Sequence, residues 1–140
     1  MTSAAWALQR AIHQKLTASA TITSLLGGPH VWDHVPRGAA YPFVTFGVTT
    51  DRDWSTGGDA ASDAGVEHIL TLLVWSNAAG RREADAIAAA LRDTLHDQPL
   101  TLAGHRLVNI RHELTDTRRD VNDELYHAVV RLRAVTEPSA

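Results

Sequence analysis

The stretch VEHILTLLVW, residues 66–75, is apolar at nearly every position from Ile69 onward. A strand that buries one face alternates apolar and polar side chains, whereas a strand covered on both faces does not alternate. The stretch is also rich in residues that favour strands. It therefore predicts a central strand whose two faces are covered by other elements, with Trp75 in the core.

Helices are predicted on both sides of this strand. Downstream, residues 81–96 repeat apolar side chains at helical spacing, which places on one face Ala84, Ile87, Ala88, Leu91 and Leu95. Upstream, residues 3–16 show the same periodicity, with Ser3 as the expected N-cap. One further helical turn is expected at residues 21–26, ending at Gly27 because glycine readily takes the left-handed conformation that stops a helix.

The other strands are predicted from β-branched runs and turn residues: 31–35, 43–50, 100–102, 105–114 and 125–135. Ala103 and Gly104 fit a tight hairpin turn. Alternation in the last two strands predicts one face with Val108, Ile110, His112, Leu114, Ala128, Val130, Leu132 and Ala134. The opposite face is predicted to carry Asn109, Arg111, Glu113, His127, Arg131 and Arg133.

This order of elements predicts an α+β fold with a mainly antiparallel sheet of about four to five strands and two helices packed on one face. All 140 residues are expected to form a single domain, because the chain has an ordinary domain length and no linker. Apolar residues make up 44% and charged residues 21%, which is typical of a chain that folds.

The composition also excludes several classes of function. Without cysteine, there can be no disulfide, thiolate metal site or cysteine nucleophile. The N-terminus lacks an apolar signal segment and no long uncharged apolar run follows, so we expect synthesis in the cytosol and no membrane partner. A net charge of −3 argues against binding nucleic acid over the whole surface.

Sequence motifs give no support to catalysis. The chain contains eight histidines but neither HxH nor HExxH, and the closest pair, His30 and His34, flanks a strand. No GxSxG, GxxxxGK[ST] or GxGxxG motif occurs. We therefore predict no catalytic residue, no cofactor and no metal. An alternative is a small enzyme or ligand-binding domain whose pocket would lie around His68, His112 and His127.

Residues 51–65, DRDWSTGGDAASDAG, are expected to form a mobile, exposed loop that is long enough to have a function. Its acidic residues have spacings near those of some calcium ligands: Asp51, Asp53, Asp59 and Asp63. The glutamate that ends a calcium loop is missing, so solvated charge is the favoured interpretation. Trp54 is poorly explained in such a loop unless it packs on a partner, because tryptophan is a favoured interface anchor.

The arginines of the last two strands suggest a second contact surface. Arg111, Arg131 and Arg133 could touch nucleic acid as a basic strip, but Glu113 lies among them. Ion pairing between subunits, or simple solvation, is the favoured interpretation. The predicted subunit or partner interface therefore consists of Asp53, Trp54, Arg111, Glu113, Arg131 and Arg133.

Seven segments together resemble one known family. In chain order they are ALQRAIHQKLTA, VWDHVPRGAAYPFVTFG, the pair Asp53 and Trp54, EHILTLLVWS, GRREADAIAAALRDTLHD, LAGHRLVNIRHE and HAVVRLRA. Each segment alone is weakly specific, but their order and spacing over nearly the whole chain resemble the tail completion or tail terminator proteins of tailed phages, prophages and gene transfer agents.

The resemblance implies a structural protein without catalytic residues, located in the tail of a virion or phage-like particle and assembled in the host cytoplasm. It implies a ring of identical subunits, commonly six, that caps the tail tube and joins it to the neck. The implied partners are further copies of the chain, the tail tube protein and a neck or stopper protein, while DNA passes through without specific binding. An alternative within the structural class is a neck or stopper subunit.

Overall fold

The computed structural model describes residues 2–55, 57, 64–120, 122 and 124–139. Along the chain it contains α1 (Ala4–Thr17), α2 (Ala20–Leu26), β1 (Val31–Trp32), β2 (Phe43–Asp53), β3 (Val66–Ser76), α3 (Arg82–Leu95), β4 (Thr101–Leu102), β5 (His105–Asp120) and β6 (Leu125–Pro138). None of the described helices is long and apolar enough to cross a membrane.

The strands form one mixed sheet of six strands in the order β1-β2-β3-β6-β5-β4, curled into a half-barrel. Only β1 pairs in parallel, with β2, because residues 33–42 carry the chain back before β2 begins. The predicted sheet of four to five strands with two helices was therefore too small. Two strands are only two residues long, and the single turn expected at 21–26 is a seven-residue helix.

The three helices pack against one face of the sheet, and the core lies between them. Alternate residues of the two central strands fill it: Leu70, Leu72 and Val74 of β3, and Ala128, Val130, Leu132 and Ala134 of β6. They meet the predicted apolar stripe of α3, whose five members are all buried. The central position of β3, the stripe and the inward face of the last strand are thereby confirmed. The expected cover over both faces of β3 is wrong, because the helices pack on one face and leave Ile69, Leu73 and Trp75 partly exposed on the other.

Local capping explains where the first two helices begin and end. The Ser3 hydroxyl accepts a hydrogen bond from the Trp6 backbone N–H at 3.2 Å, which confirms the predicted N-cap. The Ser19 hydroxyl does the same for Ile22 at 3.3 Å. Gly27 ends α2 with φ of 78°, a left-handed conformation that a side chain would oppose.

The predicted side-chain alternation in β5 is wrong at two positions. Register shifts between Leu107 and Asn109 and between His112 and Leu114 each insert one residue against β6. Val108 is the residue inserted at the first bulge and lies 51% exposed, and the second bulge turns Leu114 away from the core, opposite Arg131. Ile110, between the two bulges, is fully buried as predicted.

Two other expectations are also corrected. Trp75 lies on the sheet face opposite the helices, where it is partly exposed and stacks on His127 with ring centroids 5.1 Å apart. There its indole N–H donates to the Thr45 hydroxyl at 3.1 Å, a bond that the apolar core could not supply. Residues 51–53, expected in the loop, belong to β2, and residues 56 and 58–63 lie outside the described residues.

Candidate partner interface

The side of the sheet that the helices leave uncovered is called here the open face. Alternate residues of β3 and β6 line it, and several of the apolar ones are only partly buried, among them Ile69, Leu73 and Val129. Charged residues lie among them, with Arg133 opposite Ile69 and Arg131 opposite Thr71. A sheet face that mixes half-buried apolar and charged groups is suited to contact another protein.

Trp54, Arg133 and Glu67 form a stack at one end of the open face. The Arg133 Nε–H donates to Glu67 Oε2 at 2.7 Å, and its guanidinium carbon lies 5.1 Å from the centroid of the Trp54 ring. The Glu67 side chain is 11% exposed, so this ion pair is shielded from water on one side. Trp54 covers the other side of the guanidinium, yet its outer surface leaves the residue 48% exposed.

Backbone contacts at the root of the 54–65 connection hold Trp54 in this position. Its backbone N–H donates to the Gly65 carbonyl at 2.8 Å. A Cβ on Gly65 would lie 3.1 Å from the Trp54 carbonyl oxygen, so glycine permits the close approach. The Asp53 carboxylate accepts from both the backbone N–H and the hydroxyl of Ser55, each at 3.0 Å, and this fixes the turn that follows β2.

Two of the acidic residues considered as calcium ligands already form hydrogen bonds within the chain. Asp53 is bonded to Ser55, and Asp51 is bonded to His68. Asp59 and Asp63 lie outside the described residues. Within the described part of the chain, no group of three or more histidine, aspartate or glutamate side chains could hold a metal ion.

The six residues predicted for the interface are divided between two regions. Trp54 and Arg133 touch, and Asp53 directly precedes Trp54 in sequence. Arg111 is the register partner of Arg133 on β5, and Glu113 lies exposed at the second bulge. Glu67 was missed, although a single carboxylate at the start of an otherwise apolar central strand is a signal that it has a partner.

His68, Asp51 and Thr136 form the one arrangement of described residues that resembles a hydrolytic triad. The fully buried His68 ring places Nδ1 2.7 Å from Asp51 Oδ1 and Nε2 2.8 Å from the Thr136 hydroxyl. In a hydrolase the hydroxyl would face the substrate, but Thr136 is fully buried and the carboxylate is the exposed end. The network therefore ties β2, β3 and β6 together as a structural element.

The other two histidines named for a possible pocket do not converge with His68. His127 stacks on Trp75 on the open face, while His68 faces the helices. His112 lies at the edge of the sheet, where burial, the nearby Arg92 guanidinium and the His96 ring hold its pKa below the ordinary value. The backbone N–H of His112 donates to His96 Nδ1 at 2.9 Å.

The two outer strands of the sheet each pair with only two residues of the strand beside them. On one side, β1 pairs only with Val44 and Thr45 of β2, and a groove of about 310 Å³ opens beyond it. Side chains of α1, β1 and β2 line this groove, among them Trp6, Trp32 and Phe46. On the other side, β4 pairs only with His105 and Arg106 of β5.

Comparison with known proteins places these features in a family. The model of the family described as tail completion protein gp17 matches residues 10–137. A solved structure titled as the virion of a native gene transfer agent particle contains a chain 33% identical, with a TM-score of 0.84 over 98% of this chain and 99% of that one. The gp17 protein of bacteriophage SPP1 is 19% identical, with a TM-score of 0.59 over 94% of this chain and 89% of that one, which shows a shared fold. No significant match was found among curated protein sequences.

Proposed function

The chain belongs to the tail completion protein gp17 family, and from that premise we propose that it closes the tail by forming a ring at the end of the tail tube. It is a structural tail completion protein of a phage-like virion, located in the tail. The proposal adds the ring, its place at the tube end and its two neighbours, the tail tube protein and a neck protein.

Similarity over 98% of the chain to a component of a gene transfer agent virion is the observation that carries this proposal. Because the similarity covers almost the whole length of both chains, the entire chain, and not one segment of it, matches a component of an assembled particle. Within such a particle the subunit must present several surfaces at once: two for its neighbours in the ring, and one for each adjoining layer.

The described surface offers contacts of the required kinds. The open face mixes apolar and charged side chains, and Trp54 stands half-exposed at its end. A net charge of −3 suits a ring through which DNA passes without adhering, because like charges weaken phosphate contact. We assign the Trp54 end of the open face to a neighbouring protein in the tail.

Mass measurement by light scattering and negative-stain electron microscopy, on the purified protein with and without tail tubes, tests the ring. Discrete rings, or density confined to one end of each tube, are expected. A monomer that leaves tubes undecorated at both ends would contradict the proposal. Binding to isolated neck complexes but not to tubes would instead place the protein one layer nearer the head.

Trp54→Ala is expected to leave the monomer folded while weakening assembly. The substitution removes a half-exposed ring and a cation–π contact, so the free energy of unfolding should fall by only about 0.5–1 kcal/mol. Truncating an interface tryptophan costs about 2 kcal/mol or more of binding free energy. Thermal unfolding and tube decoration, measured on the same preparation, separate the two effects.

Leu25→Ala serves as the control for Trp54→Ala, since Leu25 is 38% exposed on α2 and lies away from the open face. It should leave decoration unchanged. Normal decoration by Trp54→Ala, or unfolding of that variant at low temperature, would remove Trp54 from the interface.

A further inference from the structure

The two sides of the sheet each expose a length of strand that pairs with one neighbour only. From Phe46 to Asp53, β2 pairs with β3 and has no strand on its outer side within the described residues; we name this the β2 edge. From Glu113 to Asp120, β5 pairs with β6 and likewise has no described strand outside it; we name this the β5 edge.

We propose that neighbouring copies join by antiparallel pairing of the β2 edge of one copy with the β5 edge of the next, so that the sheet continues around the ring. The inference rests on the proposed ring and identifies the surfaces that close it. At each edge, the binding partner is another copy of this chain.

Backbone chemistry makes both edges competent for pairing. An outer strand presents unpaired N–H and C=O groups along its length, and proteins usually shorten or cover such edges. Here β1 covers only the first residues of β2. Next to the β5 edge, the Asp97 N–H donates to the Ile110 carbonyl and His96 accepts from the His112 N–H, but this cover ends where the β5 edge begins.

Strand direction selects antiparallel pairing. β2 and β6 each run opposite to β3, and β5 runs opposite to β6, so β2 and β5 run in opposite directions within one copy. Rotation about a ring axis to which the strands are tilted, as in a β-barrel, preserves these directions and keeps the helices on one side. The tilt is required because the β2 edge lies level with residues 66–72 of β3 and the β5 edge with residues 71–76. The β5 edge of one copy therefore meets the β2 edge of the next in the antiparallel sense.

Side chains at the two edges favour contact between copies. Val48 is 76% exposed on the β2 edge and Leu114 is 40% exposed on the β5 edge. Each edge also carries charged side chains of both signs, with Arg52 between Asp51 and Asp53 on the β2 edge and Arg118 and Arg119 on the β5 edge.

Using two different edges also explains why the assembly closes as a ring. Pairing β2 with β2, or β5 with β5, would relate two copies by a two-fold axis and stop at a dimer. Pairing β2 with β5 leaves one edge of each kind free after every addition. Growth then continues until rotation brings the last copy against the first.

Disulfide scanning tests the pairing directly, because the chain has no cysteine of its own. Thr50→Cys on the β2 edge is combined, one at a time, with Leu114→Cys, Asp116→Cys or Arg118→Cys. These four residues lie on the open face, and a disulfide needs Cα atoms within about 7 Å, so the scan covers three registers. We expect one double variant to give a ladder of covalent oligomers after mild oxidation.

The single variants and a double variant of Thr50→Cys with Ala89→Cys, exposed on α3, are the controls and should stay monomeric in denaturing gels. Rings that form in every β2–β5 double variant without any crosslink would overturn the edge pairing while leaving the ring intact. Covalent dimers from a single variant would show pairing of like edges and would also overturn it. Absence of rings in the unmodified protein would instead remove the proposed function itself.

Val48→Lys provides a second, independent measurement. A lysine at this exposed edge position should leave thermal unfolding of the monomer unchanged and lower the ring association constant about tenfold or more, because its charge would lose water in the paired state. Leu25→Lys, at an exposed site away from both edges, should assemble normally. Equal assembly by both lysine variants would count against the β2 edge.

Discussion

His68→Ala is expected to lower the free energy of unfolding by about 2–4 kcal/mol, measured by urea denaturation. The His68 ring is fully buried and bridges Asp51 of β2 and Thr136 of β6. Alanine removes the packing of the ring and leaves the buried Thr136 hydroxyl without its partner. Both losses act on the three strands that form the middle of the sheet.

The matched control for that variant is Asp51→Asn. The asparagine oxygen can still accept from the histidine ring, and the Asp51 side chain is 44% exposed, so water can replace part of what is lost. The expected cost is below about 1 kcal/mol. If His68→Ala cost no more than Asp51→Asn, the network would be incidental to stability, and the link between the three strands would come from the backbone ladder alone.

Periodicity predicted the parts of the fold where one physical constraint dominates. The central position of β3 and the stripe of α3 depend only on burial, and both lie as expected, although only one face of β3 is covered by helices. β5 was harder because its two bulges depend on how the strand fits β6 locally. The sequence carries no residue at Val108 or Leu114 that signals an inserted position, so alternation placed both on the wrong face.

The candidate interface shows the same division. Trp54 and the arginines could be proposed as candidates because large aromatic and charged groups need an explanation wherever they occur. Their actual neighbours depended on strand order, since Glu67 and Arg133 are 66 residues apart and meet only because β3 pairs with β6. Trp75 was misplaced for a related reason: in a central strand, both faces look apolar, and sequence alone does not say which face the helices cover.

Arg133→Met is expected to lower the free energy of unfolding by about 1–3 kcal/mol, because it leaves the Glu67 carboxylate largely buried without its partner. Methionine keeps an apolar chain against the Trp54 ring, so the loss reports mainly on the ion pair and the cation–π contact. Tube decoration should weaken as well, since the guanidinium contact fixes the Trp54 ring in addition to the backbone bond to Gly65.

A double-mutant cycle with Glu67→Gln separates these contributions. Glutamine replaces the buried, unpaired Glu67 carboxylate with a neutral amide. Glu67→Gln in the Arg133→Met background should therefore recover part of the lost stability. Decoration should not recover with it, because Trp54 would still lack the cation over its ring. If stability and tube decoration recovered together, Arg133 would act only by neutralising Glu67. The position of Trp54 would then depend on its backbone hydrogen bond to Gly65 and not on the cation.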